Sequence, residues 1–278
     1  MLRLISFSLL CACASAGPEN PGTEQQQKAQ SDPWLRFVDE YCGRWAETVW
    51  GPGQEALYIE FYENVRRLPA EQVSDFPFRV LADLEQQNCW GIISRVIGFG
   101  GTAQDGERLL EFLQNYPVAE AAVTFSQSGL SEWLALNTKG LGFLAARLAE
   151  NDPVRERIVD YLIACAEPEY WLGGSSPRII FRPEWRRMLD EHGETTISAE
   201  DHLIAKAGLA MRRCVHSLGN IGSERAGAYL EMGERGLTWH QRFPIVQRDD
   251  YTFALKKHRL ILRLGLEEVI RQGYSTFL

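Results

Sequence analysis

Apolar side chains recur every three to four positions along most of this 278-residue chain, which is the periodicity of amphipathic α-helices. The clearest case follows Asp32-Pro33, because Asp is a good N-cap and Pro suits the first helical turn. One face of that stretch then carries Trp34, Phe37, Val38, Tyr41, Cys42, Trp45 and Val49. Similar patterns predict further helices over 54–68, 78–97, 105–116, 118–125, 131–136 and 141–149. The sequence therefore predicts an all-α fold.

The helix start and turn signals return about 120 positions later along the chain. Asp32-Pro33 is matched by Asp152-Pro153, and after a one-residue slip Gly98 and Gly101 are matched by Gly219 and Gly222. Glycine just past an apolar register is typical of a helix that ends on a left-handed residue. This repetition predicts two helical units of about 120 residues, 32–151 and 152–278. The matches are sparse, so an irregular helical domain without duplication stays open.

One stretch of the second unit resembles a known repeat family. Residues 207–234 (AGLAMRRCVHSLGNIGSERAGAYLEMGE) resemble a HEAT-type repeat, with Leu218-Gly219-x-x-Gly222 at the turn, and residues 89–113 are a weaker second instance. The resemblance implies a HEAT-like α-solenoid, a class that presents extended binding surfaces. The chain departs from that family over 167–200, which is long and irregular. A compact, irregular helical-repeat domain is the alternative.

The N-terminal residues 1–16 have the composition of a secretory signal: Arg3, an apolar run, and small residues before Gly17. Ala14-Ser15-Ala16 fits cleavage after Ala16, whereas Leu10-Cys11-Ala12-Cys13 resembles a bacterial lipobox that would place a lipid on Cys13. The polar residues 17–31 are typical of a flexible tether. We therefore expect an exported protein, either a periplasmic or outer-membrane-anchored lipoprotein or a secreted soluble one. A lipid on Cys13 is the only membrane contact expected.

Composition and motifs argue against several functions. The formal net charge of -8 provides no general attraction for nucleic acid. The five histidines form no His-Glu-x-x-His motif, and no Gly-x-Ser-x-Gly is present, so we predict no catalytic residues, metal or cofactor. Gly98-Phe99-Gly100-Gly101 follows a helical pattern rather than a strand, which favours a helix turn over a phosphate-binding loop.

Four cysteines lie beyond the signal, and they fall into two pairs under the proposed duplication. Cys42 and Cys89 are 47 positions apart, and Cys165 and Cys214 are 49 positions apart. One disulfide within each unit fits this spacing, and an oxidising compartment permits it. All four cysteines also occupy apolar registers, so buried thiols are the alternative.

The segment 171–189 is the candidate binding segment, because it concentrates arginine and aromatic residues in an otherwise acidic chain. Both types are enriched at binding hot spots. The side chains expected to contact an acidic protein or envelope polymer are Trp171, Arg178, Arg182, Trp185, Arg186 and Arg187. The alternative is that these arginines pair with the chain's own carboxylates while the tryptophans fill its core. The sequence thus predicts an exported cell-envelope binding module, with a helical hydrolase acting on sugar or peptidoglycan as the second hypothesis.

Overall fold

The structure is a computed structural model, and it describes residues 40–41, 44, 52–81, 90–115, 119–120, 138–173, 178–180, 198–236, 243 and 246–272. The predicted signal (1–16) and tether (17–31) lie outside these residues. So do Cys13, Cys42 and Cys89.

Helices account for most of the described chain, so the prediction of an all-α fold is confirmed. They are α1 (Pro52–Arg66), α2 (Ala70–Leu81), α3 (Trp90–Gly100), α4 (Ala103–Asn115), α5 (Thr138–Arg147), α6 (Pro153–Cys165), α7 (Pro168–Leu172), α8 (Ala199–Leu218), α9 (Glu224–Glu234), α10 (Arg248–Leu264) and α11 (Leu266–Arg271). Two short strands, β1 (Ala119–Glu120) and β2 (Ile179–Ile180), form a parallel pair in which Ala119 lies opposite Ile179. No helix of the described ranges is long and apolar enough to cross a membrane.

Local sequence signals explain where several helices begin. Asp152 is the N-cap of α6, and its Oδ1 accepts a hydrogen bond from the Val154 amide at 2.8 Å, as the Asp-Pro signal predicts. Ser198 and Ser223 cap α8 and α9 in the same way. The prediction of a helix over 118–125 is wrong at its start, because residues 119–120 form β1. A short apolar run does not distinguish a strand from a buried helix.

Four helices, α3, α5, α8 and α10, pack side by side in chain order, and we call them the inner row. Glycines allow their backbones to approach closely. A Cβ on Gly140 would overlap the Ser94 carbonyl oxygen, one on Gly142 would lie 2.5 Å from the Ser217 carbonyl oxygen, and one on Gly219 would lie 2.6 Å from that of Ala254. The inner row is therefore fixed by three backbone contacts that tolerate no larger residue.

The turn expected at 98–101 begins later, because α3 continues to Gly100 and α4 begins at Ala103, and Gly98 lies in the last turn of α3. A Cβ on Gly98 would lie 2.8 Å from the Gly140 carbonyl oxygen, so the glycine serves helix packing. Gly222, by contrast, has a φ of 65° and does take the left-handed conformation beyond α8.

Helices α4, α6 and α9 form an outer row, in which α6 contacts both of the others. Arg157 of α6 pairs with Glu107 of α4 at 2.8 Å, and Arg225 of α9 pairs with Asp160 of α6. These side chains are about half exposed, so the ion pairs align the helices and stabilise the fold little. The C-terminal helix α11 contacts α1 and α5.

Candidate functional site

Each helix of the inner row contributes one basic residue to a single cluster of positive charge. The four residues are Arg95 of α3, Lys139 of α5, Arg213 of α8 and Lys257 of α10, and we call them the cationic cluster. Burial lowers the pKa of Lys139 well below its ordinary value, and the charges of Arg95, Lys257 and Arg213 lower it further. Burial, with the charge of Arg95, likewise lowers the pKa of Lys257 to about 7. Lys139 thus feels the charges of the other three cations, and Lys257 feels that of Arg95.

The glycine contacts of the inner row bring these charges together. Lys139 precedes Gly140 and Arg95 follows Ser94, so both cations are next in sequence to the close contact between Gly140 and Ser94. On the next helix pair, the hydroxyl oxygens of Thr138 and Ser217 lie 2.8 Å apart, and the Ser217 hydroxyl donates to the Arg213 carbonyl at 2.8 Å. The backbone packing that builds the row therefore also builds the cluster.

The cationic cluster extends from the surface into the core. Lys139 and Arg213 are partly exposed, whereas Arg95 is 7% exposed and Lys257 is 1% exposed. Within the described chain, the Lys257 Nζ has no hydrogen-bond partner. It lies 5.6 Å from the centroid of the Phe253 ring. A ring face replaces only part of the hydration that a buried ammonium loses, so Lys257 is a strongly disfavoured cation in this state.

One carboxylate, Asp250, lies at the edge of the cluster and is already engaged. Its Oδ1 accepts a hydrogen bond from the Arg212 Nε at 2.7 Å and lies 2.9 Å from the His216 Nε2, while its Oδ2 accepts from the Gln247 amide at 2.9 Å. Burial alone would raise the pKa of Asp250, but these hydrogen bonds lower it below its ordinary value. Asp250 is therefore ionised at neutral pH, with both of its oxygens occupied.

His216 is neutral beside this carboxylate. Burial lowers the pKa of His216 to about 4, and the charges of Lys257 and Lys139 add to that effect against the attraction of Asp250. On the opposite side, the ring centroid of Tyr58 lies 5.7 Å from the guanidinium carbon of Arg95. Burial raises the pKa of Tyr58 to about 12, so its hydroxyl stays protonated. Neither group adds negative charge to the cluster.

The predicted binding segment is placed differently from what the sequence suggested. Trp171 is 2% exposed, and its Nε1 donates to the Cys165 carbonyl at 2.8 Å, so it is a core residue and not a partner contact. Arg178 donates to the carbonyl oxygens of Leu113 and Gln114 at 2.6 and 2.7 Å, and so caps the C-terminal end of α4. The remaining members of the segment, Arg182, Trp185, Arg186 and Arg187, lie outside the described residues, and their partner role stays a prediction.

A disulfide joins Cys165 at the end of α6 to Cys214 of α8, with their Cα atoms 6.0 Å apart. It is one of the two pairings that the spacing of the cysteines allowed. The bond ties α6 of the outer row to α8 of the inner row.

Sequence reasoning missed the cationic cluster, although one signal for it was available. Arg95 and Lys139 are 44 positions apart, and so are Arg213 and Lys257. That spacing falls within the repeat length of about 40–47 residues that is typical of HEAT-type arrays. The pattern that indicates the site is a basic residue that recurs at this period. At each recurrence it lies among apolar residues of a helix.

The arrangement is suited to holding negative charge. Guanidinium and ammonium groups are the donors that proteins use for carboxylates and phosphates. In the described ranges, no group of three or more His, Cys, Asp or Glu side chains could hold a metal ion. The chain matches no protein-family model, and neither a curated protein nor a solved structure matches it.

Proposed function

We propose that this protein is an exported binding protein that holds an acidic group of its ligand in the cationic cluster. The observation that carries the proposal is the Lys257 ammonium, which is 1% exposed, has no hydrogen-bond partner in the described chain, and interacts with the positive charges of Arg95 and Lys139. Such a group costs folding free energy, and an anion that meets it would recover that cost. A site of this kind is expected where a ligand supplies the missing charge.

Export is part of the proposal, since residues 1–16 have the features of a secretory signal. The disulfide between Cys165 and Cys214 supports it, because structural disulfides persist mainly in oxidising compartments. The mature protein would be a periplasmic or outer-membrane-anchored lipoprotein with a lipid on Cys13, or a soluble protein cleaved after Ala16. Intact-mass measurement of the mature chain separates these outcomes, and a chain that retains Met1 would contradict export.

We also propose a HEAT-like stack of helical hairpins that arose by duplication. The side-by-side order of the inner and outer rows supports stacking. Gly98 and Gly219, which are 121 positions apart, both pack against the backbone of the next inner helix, and this supports duplication. The inner row would then be the binding side of the stack, since all four cations lie on it.

Binding is favoured over hydrolysis by the groups that surround the cluster. Sugar hydrolysis needs two facing carboxyl groups, one as acid and one as base or nucleophile. The described part of the cluster contains four cations and one carboxylate, and that carboxylate is held by Arg212, His216 and the Gln247 amide. We therefore place the protein among binding modules.

Thermal unfolding with and without anions tests the proposal. The anions are sulfate, which is small, and poly-L-glutamate, which is a polymer, and sodium chloride at equal ionic strength is the reference. Each is added to the wild type, to Lys257→Met and to Lys256→Met. Lys256 is the matched control because it is the exposed neighbour of Lys257 on the same helix. At least one anion should raise the melting temperature of the wild type and of Lys256→Met by more than that of Lys257→Met. Equal increments in all three proteins would contradict the proposal, because sulfate also stabilises proteins by general exclusion.

A further inference from the structure

The last helix of the inner row, α10, presents a row of positive charge to solvent. We call this surface the α10 face, and its four exposed basic residues are Arg248, Lys256, Arg259 and Arg263. We infer that the α10 face docks on a membrane surface that carries anionic lipid headgroups. The inference goes beyond the proposed function and is independent of it, because the buried Lys257 is no part of this face. It adds a membrane contact to the lipid expected on Cys13.

The spacing of the four cations along α10 keeps them on one side of the helix. Lys256, Arg259 and Arg263 follow Arg248 by eight, eleven and fifteen positions. At about 3.6 residues per turn, all four fall within about a quarter of the helix circumference, and at about 1.5 Å per residue the row is about 22 Å long. Within α10, which the structure describes completely, Asp249 is the one exposed carboxylate. The α10 face is therefore a continuous strip of positive charge.

The fold itself does little to neutralise these cations. No ion pair joins the side chain of Arg248, Lys256 or Arg263 to a carboxylate of the described chain. Arg259 pairs with Glu231 of α9 at 3.4 Å, but both side chains are exposed, and such pairs stabilise a fold little. Like charges three and four positions apart on a helix repel, so Arg259 between Lys256 and Arg263 costs free energy of folding. An arrangement that costs stability is expected where a partner uses it.

The charge of the rest of the chain determines which side can face an anionic surface. The formal net charge is -8, so the chain without the α10 face is more negative still. An anionic membrane therefore attracts the α10 face and repels most of the remaining surface. We expect the protein to dock in one orientation, with α10 parallel to the membrane plane.

An exposed leucine beside the cations favours a lipid surface over an acidic polypeptide. Leu262 is 59% exposed, and it lies next to Arg263 and three positions after Arg259. A lipid interface offers phosphate groups to the two arginines and hydrocarbon just below them to the leucine. Long basic side chains can keep their charged ends at the headgroups while a neighbouring apolar side chain inserts. A run of acidic residues would satisfy the arginines and leave Leu262 in water.

Sedimentation with lipid vesicles tests the inference. All proteins are full-length chains that carry Cys13→Ser, so that no lipid anchor can form at this position. Vesicles of phosphatidylcholine alone are compared with vesicles of equimolar phosphatidylcholine and phosphatidylglycerol, and poly-L-glutamate is the probe for an acidic polypeptide. The apolar residues 4–10 are present in every protein, so binding to the neutral vesicles measures their contribution.

The variants change exposed positions, where substitutions disturb the fold least. Arg248→Gln/Arg263→Gln removes the charges at the two ends of the α10 face, and Leu262→Ser removes the apolar side chain. The matched control is Arg66→Gln/Arg67→Gln, which changes the net charge by the same amount at exposed positions at the C-terminal end of α1. The melting temperature of each variant checks that it is folded.

The wild type should bind the anionic vesicles more tightly than the neutral ones, and added sodium chloride should release it. Each basic residue near an anionic membrane changes the partition coefficient about fivefold, so Arg248→Gln/Arg263→Gln should bind about twentyfold more weakly. Leu262→Ser should bind about threefold more weakly or less, because it loses the burial of its apolar surface. The control variant should bind like the wild type.

Equal binding of the wild type to neutral and anionic vesicles would overturn the inference, and so would equal losses in Arg248→Gln/Arg263→Gln and in the control variant. Binding of poly-L-glutamate that is lost in Arg248→Gln/Arg263→Gln, without binding to vesicles, would assign the α10 face to an acidic polypeptide instead. Undiminished binding of Leu262→Ser to anionic vesicles would remove the reason for choosing lipid. None of these results bears on Lys257, which the thermal unfolding experiment tests separately.

Discussion

The Nε2 of His216 lies 2.9 Å from the Oδ1 of Asp250, an oxygen that also accepts from the Nε of Arg212 at 2.7 Å. These hydrogen bonds lower the pKa of Asp250 and keep its carboxylate ionised at neutral pH. The Asp250 carboxylate is held by these two side chains of α8 and by the Gln247 amide. The Lys257 ammonium therefore has no hydrogen bond to Asp250, as the proposed function requires.

The same pair predicts how the fold responds to mild acid. The pKa of His216 is about 4 in the fold and about 6.5 in the unfolded chain, so the unfolded state takes up a proton first as the pH falls. The free energy of unfolding should decrease between about pH 6.5 and pH 4, by roughly 3 kcal/mol in total. Urea unfolding at several pH values measures it, and His216→Gln should remove most of this dependence.

Above pH 4 the Asp250 carboxylate stays ionised, because its hydrogen bonds lower its pKa below the ordinary value. Burial lowers the pKa of His258 as well, so the difference between the wild type and His216→Gln is what isolates His216. An equally steep decrease for the wild type and for His216→Gln would contradict the placement of a buried neutral histidine.

Lys257 predicts that the free energy of unfolding also depends on pH above neutrality. Its pKa is about 7 in the fold against 10.5 in the unfolded chain, so the unfolded state holds the extra proton between these values. The free energy of unfolding of the wild type should rise as the pH increases from about 7 to 10. Lys257→Met should be more stable than the wild type at pH 7 by roughly 3–5 kcal/mol, because it removes a buried cation and keeps its volume.

Lys256→Met is the control for that comparison, since Lys256 is exposed one residue earlier on α10. Its free energy of unfolding should differ from that of the wild type by less than about 0.5 kcal/mol at every pH. Destabilisation by Lys257→Met at pH 7 would mean that the ammonium is paired in solution.

The helices and the cluster differ in how far the sequence could predict them. Asp152-Pro153 predicts the start of α6, because an N-cap depends on residues only a few positions apart. The glycines 98–101 do predict the end of α3, but not the packing of Gly98, because a glycine that ends a helix and a glycine that packs inside one have the same local pattern. The cluster depends on which helices lie side by side, and local periodicity carries no information on that. Trp171 and Arg178 are residue types that are enriched at binding sites. Only their tertiary contacts show that Trp171 is a core residue and that Arg178 caps a helix.

The close contact at Gly140 predicts a severe packing mutant. A methyl group there would overlap the Ser94 carbonyl oxygen, so Gly140→Ala should separate α3 from α5 and cost about 3 kcal/mol or more in the free energy of unfolding. Chemical unfolding measures the loss. Gly53→Ala, at an exposed position in the first turn of α1, is the matched control and should be neutral or slightly stabilising. Similar stability of the two variants would contradict the glycine-built row.

The disulfide predicts a redox-dependent stability. Cys165 and Cys214 are 49 positions apart, so closing this loop removes about 4 kcal/mol of chain entropy from the unfolded state in the loop-closure account. A reductant should lower the melting temperature of the wild type. It should have a much smaller effect on Cys165→Ala/Cys214→Ala, which lacks this bond. An equal effect of reductant on both proteins would assign the stabilisation to other cysteines.

The most direct test of the cationic cluster is the titration of Lys257 itself, followed by NMR of lysines labelled with carbon-13 at Cε and assigned with Lys257→Met. Without sulfate, the Lys257 signal should titrate with a midpoint near pH 7. With saturating sulfate, the midpoint should move above about pH 8, because the bound dianion favours the ammonium. A midpoint near pH 10 in both conditions, or one that sulfate leaves unchanged, would contradict an anion site built around Lys257.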